Sequence, residues 1–430
     1  MSGPLWVPDD ERAASSAMTS LRLAVNERHG LDLADSVALH AWSVADPGAF
    51  WLEVWDWGEV LGDPGGSALV PAAPGAHPVT GVRWFPDARI SFTENLLDGR
   101  GADPHAPAVV FQGEALEGED GTTRTLTWGE LRAEVGAAAG ALRSAGVGPG
   151  DRVAAWMPNI PETLVLMAAT LSLGAVFSST SPDFGVNGVL DRFAQIEPTV
   201  LVAADGYRYG GQAFDCLGRL AEITAALPTL RATVVVPFVD DEPAGVPAGA
   251  GLWDDVLAPH RGTPVPTERF AFDQAGFILY SSGTTGKPKC IVHRAGGLVL
   301  KHLTEHRLHG DVRPGDREFY FTTCGWMMWN WLMSGLAAGA TLVLYDGNPF
   351  HPGPDALFSL AERHRVSLLG VSAKFIDSCR KAGIRPGDTH DLRGVRTICS
   401  TGSPLGVEGF EWVYDAVGTD VHLASISGGT

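Results

Sequence analysis

Residues 280–290 read YSSGTTGKPKC and directly follow the apolar run Phe277-Ile278-Leu279. The hydroxyls of Ser281, Ser282, Thr284 and Thr285 offer donors to an anion. Gly283 and Gly286 let backbone N–H groups approach it closely, and Lys287 and Lys289 add positive charge. Such a loop is suited to phosphate oxygens, and the open question is which phosphate chemistry it serves. The P-loop of kinases and GTPases does not fit. With Gly286-Lys287 as its Gly-Lys pair, the first glycine falls on Ser281 and the magnesium-binding hydroxyl falls on Pro288.

Charge sharpens the problem. The chain of 430 residues has a formal net charge of −19, which disfavours nucleic acid or anionic lipid as a partner and also repels a nucleotide. Attraction must come from local donors and a few cations. Lysine is scarce, occurring only at 287, 289, 301, 374 and 381, and two of these five lie in the opening stretch. Arginine is the default cation elsewhere, so a lysine marks a place where a compact point charge matters.

The elements that must position this loop follow from hydrophobic pattern. The first hundred residues, with HAWSVADPGAFWLEVWDW (40–57) and WFPDARISFTENLL (84–97), predict helices and loops lying over a larger body. From about 106, short apolar runs (AVVF, RVAAWM, AVFSS, TVLVAA) alternate with helical stretches. One of these, 127–146, keeps helical spacing up to Gly146. A Pro/Gly/Asp/Glu-rich stretch at 239–268 separates this series from a second one: FILYSS, REFYFTT, TLVLYDG, SLLGVS and VRTICST. Strand–helix alternation predicts parallel sheets covered by helices, and two series predict two stacked, doubly wound α/β sheets. The expected divisions are 1–105, 106–268 and 269–430. The 45% apolar content supports a large core, and no apolar stretch is long enough to cross a membrane. The N-terminus lacks a secretory pattern and the five cysteines lack metal or disulfide spacing, which predicts reduced thiols and a cytoplasmic location.

Four further motifs accompany the loop: LTWGEL (126–131), LSLGAVFSSTSPDFG (171–185), STGSPL (400–405) and SISGGT (425–430). Together and in this order they resemble the signatures of the adenylate-forming enzymes, which include acyl-CoA synthetases, peptide-synthetase adenylation domains and luciferases. The resemblance covers nearly the whole chain and implies the large N-terminal domain of that fold, with the possibility of a β-rich subdomain. It implies activation of an acid by AMP transfer rather than phosphoryl transfer, with ATP, Mg²⁺ and CoA taking part. By this resemblance Ser281, Ser282, Gly283, Thr284, Thr285, Gly286, Lys287 and Lys289 hold the β- and γ-phosphates. Gly402, Ser403 and Pro404 lie beside adenine. Gly428, Gly429 and Thr430 approach AMP, with Thr430 at the α-phosphate near Mg²⁺.

WSVADPGAFW, WFPDARISFTENLL, TTCGWMMWNWLMSG (322–335) and GVSAKF (370–375) are similar to the acetyl-/acetoacetyl-CoA synthetase branch. There a tryptophan in the AMP motif closes a pocket sized for a methyl group, whereas alignment on Thr430 places Gly428 at that position. The resemblance therefore implies a longer acid, acetoacetate, bordered by Trp326, Met327, Met328, Thr401 and Gly428, with Lys374 as a partner for its oxygens. Acetate, propionate or another short acid remains an alternative, as does a non-catalytic nucleotide- or acyl-binding role. Arg208, in DGYRYGGQ, matches a position that reads the CoA nucleotide. The family continues past this threonine with a metal-binding acid, a ribose-binding aspartate, a hinge and a small C-terminal domain carrying the adenylating lysine. The expectation is that this chain lacks that domain and is inactive alone.

Overall fold

In the computed structural model, residues 3–77, 80–115, 121–281 and 286–430 are described. Fourteen strands form two seven-stranded sheets. In chain order they are β1 (Pro107–Gly113), β2 (Thr123–Thr127), β3 (Arg152–Trp156), β4 (Val176–Thr180), β5 (Val200–Ala204), β6 (Ala232–Val236), β7 (Gly251–Leu252), β8 (Ala275–Ser281), β9 (Lys289–Arg294), β10 (Arg317–Tyr320), β11 (Thr341–Asp346), β12 (Leu368–Ser372), β13 (Thr397–Thr401) and β14 (His422–Ser425). The first sheet runs β7-β6-β5-β3-β4-β8-β9 and the second β14-β13-β12-β10-β11-β1-β2. Each is parallel except at one edge, where β9 pairs with β8 and β2 with β1 in antiparallel fashion. Each sheet draws strands from both halves of the sequence, since β1 and β2 extend the second sheet while β8 and β9 extend the first.

The core is layered. Val153 and Ala155 of β3 and Leu342 and Leu344 of β11 belong to one central cluster with the helices Trp128–Ser144 and Pro161–Ser172. Their alternate neighbours, Ala154 and Trp156 or Val343 and Tyr345, belong to two separate outer clusters. This is the period-2 alternation of strands buried on both faces. All of Pro161–Ser172 except Glu162 is buried, as expected of a helix lying between two sheets. Trp128–Ser144 is closed at its start by a capping box, Thr127 with Glu130, and is followed by Gly146 at φ +80°. The N-terminal helices Ala17–His29, Ser36–Ala45 and Pro47–Trp57 pack around Leu21, Val25, Leu39 and Leu308. No helix among the described residues is long and apolar enough to cross a membrane.

Candidate active site

In a parallel sheet the carboxyl ends of the strands share one edge, and ligands gather where such an edge opens. The motifs after β4, β8, β10, β12, β13 and β14 fall there; LTWGEL (126–131) does not, since β2 is antiparallel and Thr127 pairs with Pro107 at the start of β1. Thr401 ends β13 and leads into Gly402, Ser403 and Pro404, all three exposed. Gly402 has φ +89°, a left-handed conformation that favours glycine at this sharp exit from the strand. The Thr401 hydroxyl donates to the Ile426 carbonyl at 3.1 Å, which ties this turn to the segment after β14. Gly428, Gly429 and Thr430 are exposed, and a Cβ at Gly428 would meet nothing within 4 Å. Lys374 lies two residues beyond β12, exposed, its side chain without a hydrogen bond or ion pair among the described residues.

The helix Met327–Met333 follows β10, with Trp326 before its first turn. Trp326 is 64% exposed, unusual for an indole, while Met327 and Met328 are half-buried and pack on the same central cluster as Ile426. The helix is pinned at two points. The Trp329 indole N–H donates to Asn159 Oδ1 at 2.9 Å, and the Trp331 carbonyl accepts from His306 Nε2 at 2.9 Å. His306 Nδ1 meets Glu318 Oε1 at 2.8 Å, and its ring stacks on Trp331 at 4.0 Å. Burial alone lowers the His306 pKa, but the Glu318 carboxylate and the Trp331 carbonyl more than offset this, and the net shift is upward. Both ring nitrogens face acceptors, an arrangement that favours the doubly protonated ring.

The two carboxyl edges meet directly. Ser179 of β4 donates to the Cys324 carbonyl at 2.7 Å, and the Cys324 thiol to the Pro158 carbonyl at 3.2 Å. The Asn159 N–H donates to Asp346 Oδ1 at 3.1 Å. Burial raises the Asp346 pKa to about 7; this N–H opposes the shift, and the Glu114 and Asp183 charges add to it.

The loop that opened the sequence reading sits at the end of β8. Ser282, Gly283, Thr284 and Thr285 lie outside the described residues. Ser281 closes β8 and is paired in register with Lys289, the exposed first residue of β9. β8 and β9 are thus antiparallel neighbours at the sheet edge, and the strand KCIVHR was not anticipated. Gly286 is exposed with φ +100°. Lys287 lies 3.7 Å from Asp191 of the helix Val186–Ile196, and Gln195 of that helix donates to the Pro288 carbonyl at 2.9 Å. Arg208 stands apart, half-buried on a two-stranded hairpin, Gly206–Tyr209 with Gln212–Asp215, outside both large sheets.

The structure therefore brings Thr401, Gly402, Ser403, Pro404, Lys374, Gly428 and Thr430 to one edge with Trp326, Met327 and Met328, and Ser281 to the facing sheet. Sequence reasoning missed Asn159, Asp346 and Glu114. An acidic residue at or just beyond the end of an apolar run, as in TLVLYD and AVVFQGE, is the signal that could have found the last two.

Two doubly wound sheets meeting at their carboxyl ends, with the turn at Gly402, Ser403 and Pro404 and the paired strands β8 and β9 beside that edge, are the large domain of the adenylate-forming fold. The chain belongs to the AMP-binding enzyme family, which matches residues 100–428. It is 49% identical over 429 residues to acetoacetyl-coenzyme A synthetase of Rhizobium meliloti, covering 99% of this chain and 64% of that protein. A malonamoyl-CoA synthetase of Penicillium aethiopicum is 37% identical, with 97% and 60% covered. Among solved structures, acetoacetyl-CoA synthetase from Streptomyces lividans superposes with a TM-score of 0.92 at 41% identity, covering all of this chain and 65% of that one. The chain thus spans just under two thirds of the length of these relatives.

Proposed function

We propose that this chain is the nucleotide- and acid-binding part of an AMP-forming acid–CoA ligase whose acid is acetoacetate. The observation that carries the reading is near-complete coverage of the chain by acetoacetyl-CoA synthetases, at up to 49% identity among those described above. In the first half-reaction a carboxylate oxygen attacks the α-phosphorus of ATP and the bond to the β-phosphate oxygen breaks. Acyl-adenylate and pyrophosphate result. In the second, the CoA sulfur attacks the acyl carbonyl, the bond to AMP breaks, and the thiol proton is released. The protein's part is to position the reactants and neutralise developing charge.

In this reading Ser281 to Lys289 receive the leaving phosphates, with Lys287 shifting from Asp191 toward them. Gly402, Ser403 and Pro404 line adenine, and Thr430 approaches the α-phosphate. Magnesium would enter with ATP and neutralise charge on its phosphates, bound through phosphate oxygens, water and carboxylate oxygen; of the residues of this chain, Thr430 would offer a hydroxyl nearby. Trp326, Met327, Met328, Thr401 and the open space at Gly428 border the acid, Lys374 pairs with its oxygens, and Arg208 meets the CoA nucleotide.

A second acid has one observation in its favour. Acetoacetyl and malonamoyl groups both carry a carbonyl at the third carbon, so the pocket would recognise a 3-oxo acid, with acetoacetate and malonamate as competitors. The test is product analysis with ATP, CoA and acetate, propionate, butyrate, malonamate or acetoacetate, on the 430-residue chain and on the full gene product in parallel. AMP and pyrophosphate formed fastest with acetoacetate support the proposal. AMP formed fastest with acetate would overturn the acid assignment, and ADP as product would overturn the reaction class.

A further inference from the structure

The hairpin that carries Arg208 is a strap between the two sheets. Its base belongs to the first sheet: it leaves β5 at Asp205, whose carboxylate accepts N–H bonds from Phe238, Val239 and Asp240 just beyond β6. The Cys216 N–H returns to the Asp205 carbonyl at 2.8 Å, which closes the base. The tip is Gly210-Gly211, at φ +64° and +77°, between the paired Tyr209 and Gln212. Two left-handed residues make the tight turn that suits a twisted hairpin, and they leave the Gly211 N–H pointing away from the ladder.

That N–H donates to Oε1 of Glu114, the residue after β1 in the second sheet. Oε2 of the same carboxylate accepts the Asn348 N–H at 2.5 Å, from the loop after β11. Glu114 is only 2% exposed, and its own N–H donates to the Asp346 carbonyl at 3.0 Å. One buried carboxylate therefore ties together the strap's tip, the end of β1 and the loop after β11. Space is close on every side: a Cβ at Gly211 would lie 3.0 Å from the His351 ring, and one at Gly347 would lie 2.5 Å from Glu114 Cβ. Charge-assisted bonds of this kind are shorter and stronger than neutral ones, and removing the charge would leave buried donors unsatisfied.

Alternation puts Tyr207, Tyr209 and Phe214 on one face and Arg208 on the other. Tyr207 stacks on Phe214 at 4.9 Å, and Tyr209 is half exposed. The guanidinium of Arg208 suits a phosphate.

We propose that Glu114 is a positioning residue for the CoA nucleotide, acting by fastening the strap to the second sheet so that Arg208 is held in place. This rests on the reading of Arg208 given above. The probe is adenosine 3′,5′-bisphosphate, the nucleotide end of CoA, titrated calorimetrically into the 430-residue chain, with ATP as the control ligand. The wild type binds the bisphosphate, and Arg208→Ala weakens it. Glu114→Gln weakens it about fivefold or more while ATP affinity stays unchanged, the size of a typical coupling between sites. Amide exchange across 206–215 rises in the same variant. Glu114→Asp, which keeps the charge but is too short to reach both N–H groups, gives a smaller loss and serves if the glutamine variant does not fold. Unchanged bisphosphate affinity in both Glu114 variants overturns the proposal, as does an equal loss for ATP. No bisphosphate binding by the wild type overturns the CoA reading of the strap, and the proposal falls with it.

Discussion

Asp346 and Gly428 show how single positions in this site can be interrogated. The Asp346 carboxyl titrates near pH 7 in the folded chain, chiefly because burial disfavours its charge, against about 4 when unfolded. Between those values the native state keeps a proton that the unfolded chain has lost, so stability falls as pH rises, by up to about 1.4 kcal/mol per pH unit, and levels off above 7. Asp346→Asn stays neutral and keeps an acceptor for the Asn159 N–H. Its denaturant midpoint should therefore gain on the wild type from pH 5 to pH 8; midpoints that run parallel across that range would refute the assignment. Gly428 offers a different test, since nothing would stand within 4 Å of a Cβ there. By the proposed reading, an indole at this position would occupy acid-binding space. Gly428→Trp in the catalytically complete protein should shift kcat/KM toward acetate over acetoacetate by roughly tenfold or more, the scale of hydrophobic pocket discrimination. Unaltered acid preference would remove Gly428 from the acid site.

At the scale of elements, the strands were the most legible part of the sequence. Runs such as RVAAWM and TLVLYDG are short, apolar and bounded by turn residues, and each became a strand buried on both faces. The returning strand KCIVHR was hidden because an edge strand with three basic side chains reads as loop. The strap GYRYGGQAF was also unread, although Gly-Gly between aromatic residues is a hairpin signal. The motifs gave the positions at the carboxyl edge; an acid at the end of an apolar run marks Asp346 and Glu114 as candidates, but their partners, like those of Asn159, lie far away in sequence and no local pattern encodes them. Helix Trp128–Ser144 shows the same limit. Its sequence suggests that alanine in place of Gly136 would stabilise the helix by up to about 1 kcal/mol. Yet a Cβ at Gly136 would lie 2.0 Å from the Thr263 carbonyl oxygen, where the loop after residue 260 crosses the helix. Gly136→Ala should instead destabilise the chain by about 1–3 kcal/mol, the usual range for overpacking, as read by urea denaturation. A stabilised variant would mean that the 263–264 backbone moves aside freely.

The whole molecule sets the terms on which an anion reaches this site. A net charge of −19 surrounds a loop whose nearest cations are few, and Lys287 already lies 3.7 Å from Asp191 while Lys289 stands exposed on β9. Long-range repulsion between the protein and ATP is screened by salt over a Debye length of about 8 Å at physiological ionic strength, whereas contacts to backbone N–H groups inside the cleft are screened much less. Association of Mg·ATP should therefore quicken as NaCl rises from about 20 to 200 mM, by about two- to fivefold, with dissociation little changed. Stopped-flow binding of a fluorescent ATP analogue reads both rates. Proteins that draw anions through a broad positive surface behave in the opposite way and slow steeply with salt. Such slowing here would mean that the lysines and arginines near the carboxyl edges create a local field strong enough to overcome the rest of the surface. A salt-independent association rate would place the anion beyond reach of the surface charge altogether. The predicted acceleration follows if recognition depends on the hydroxyls, glycine N–H groups and the few lysines of residues 281–289, with the acidic exterior acting only to slow the approach.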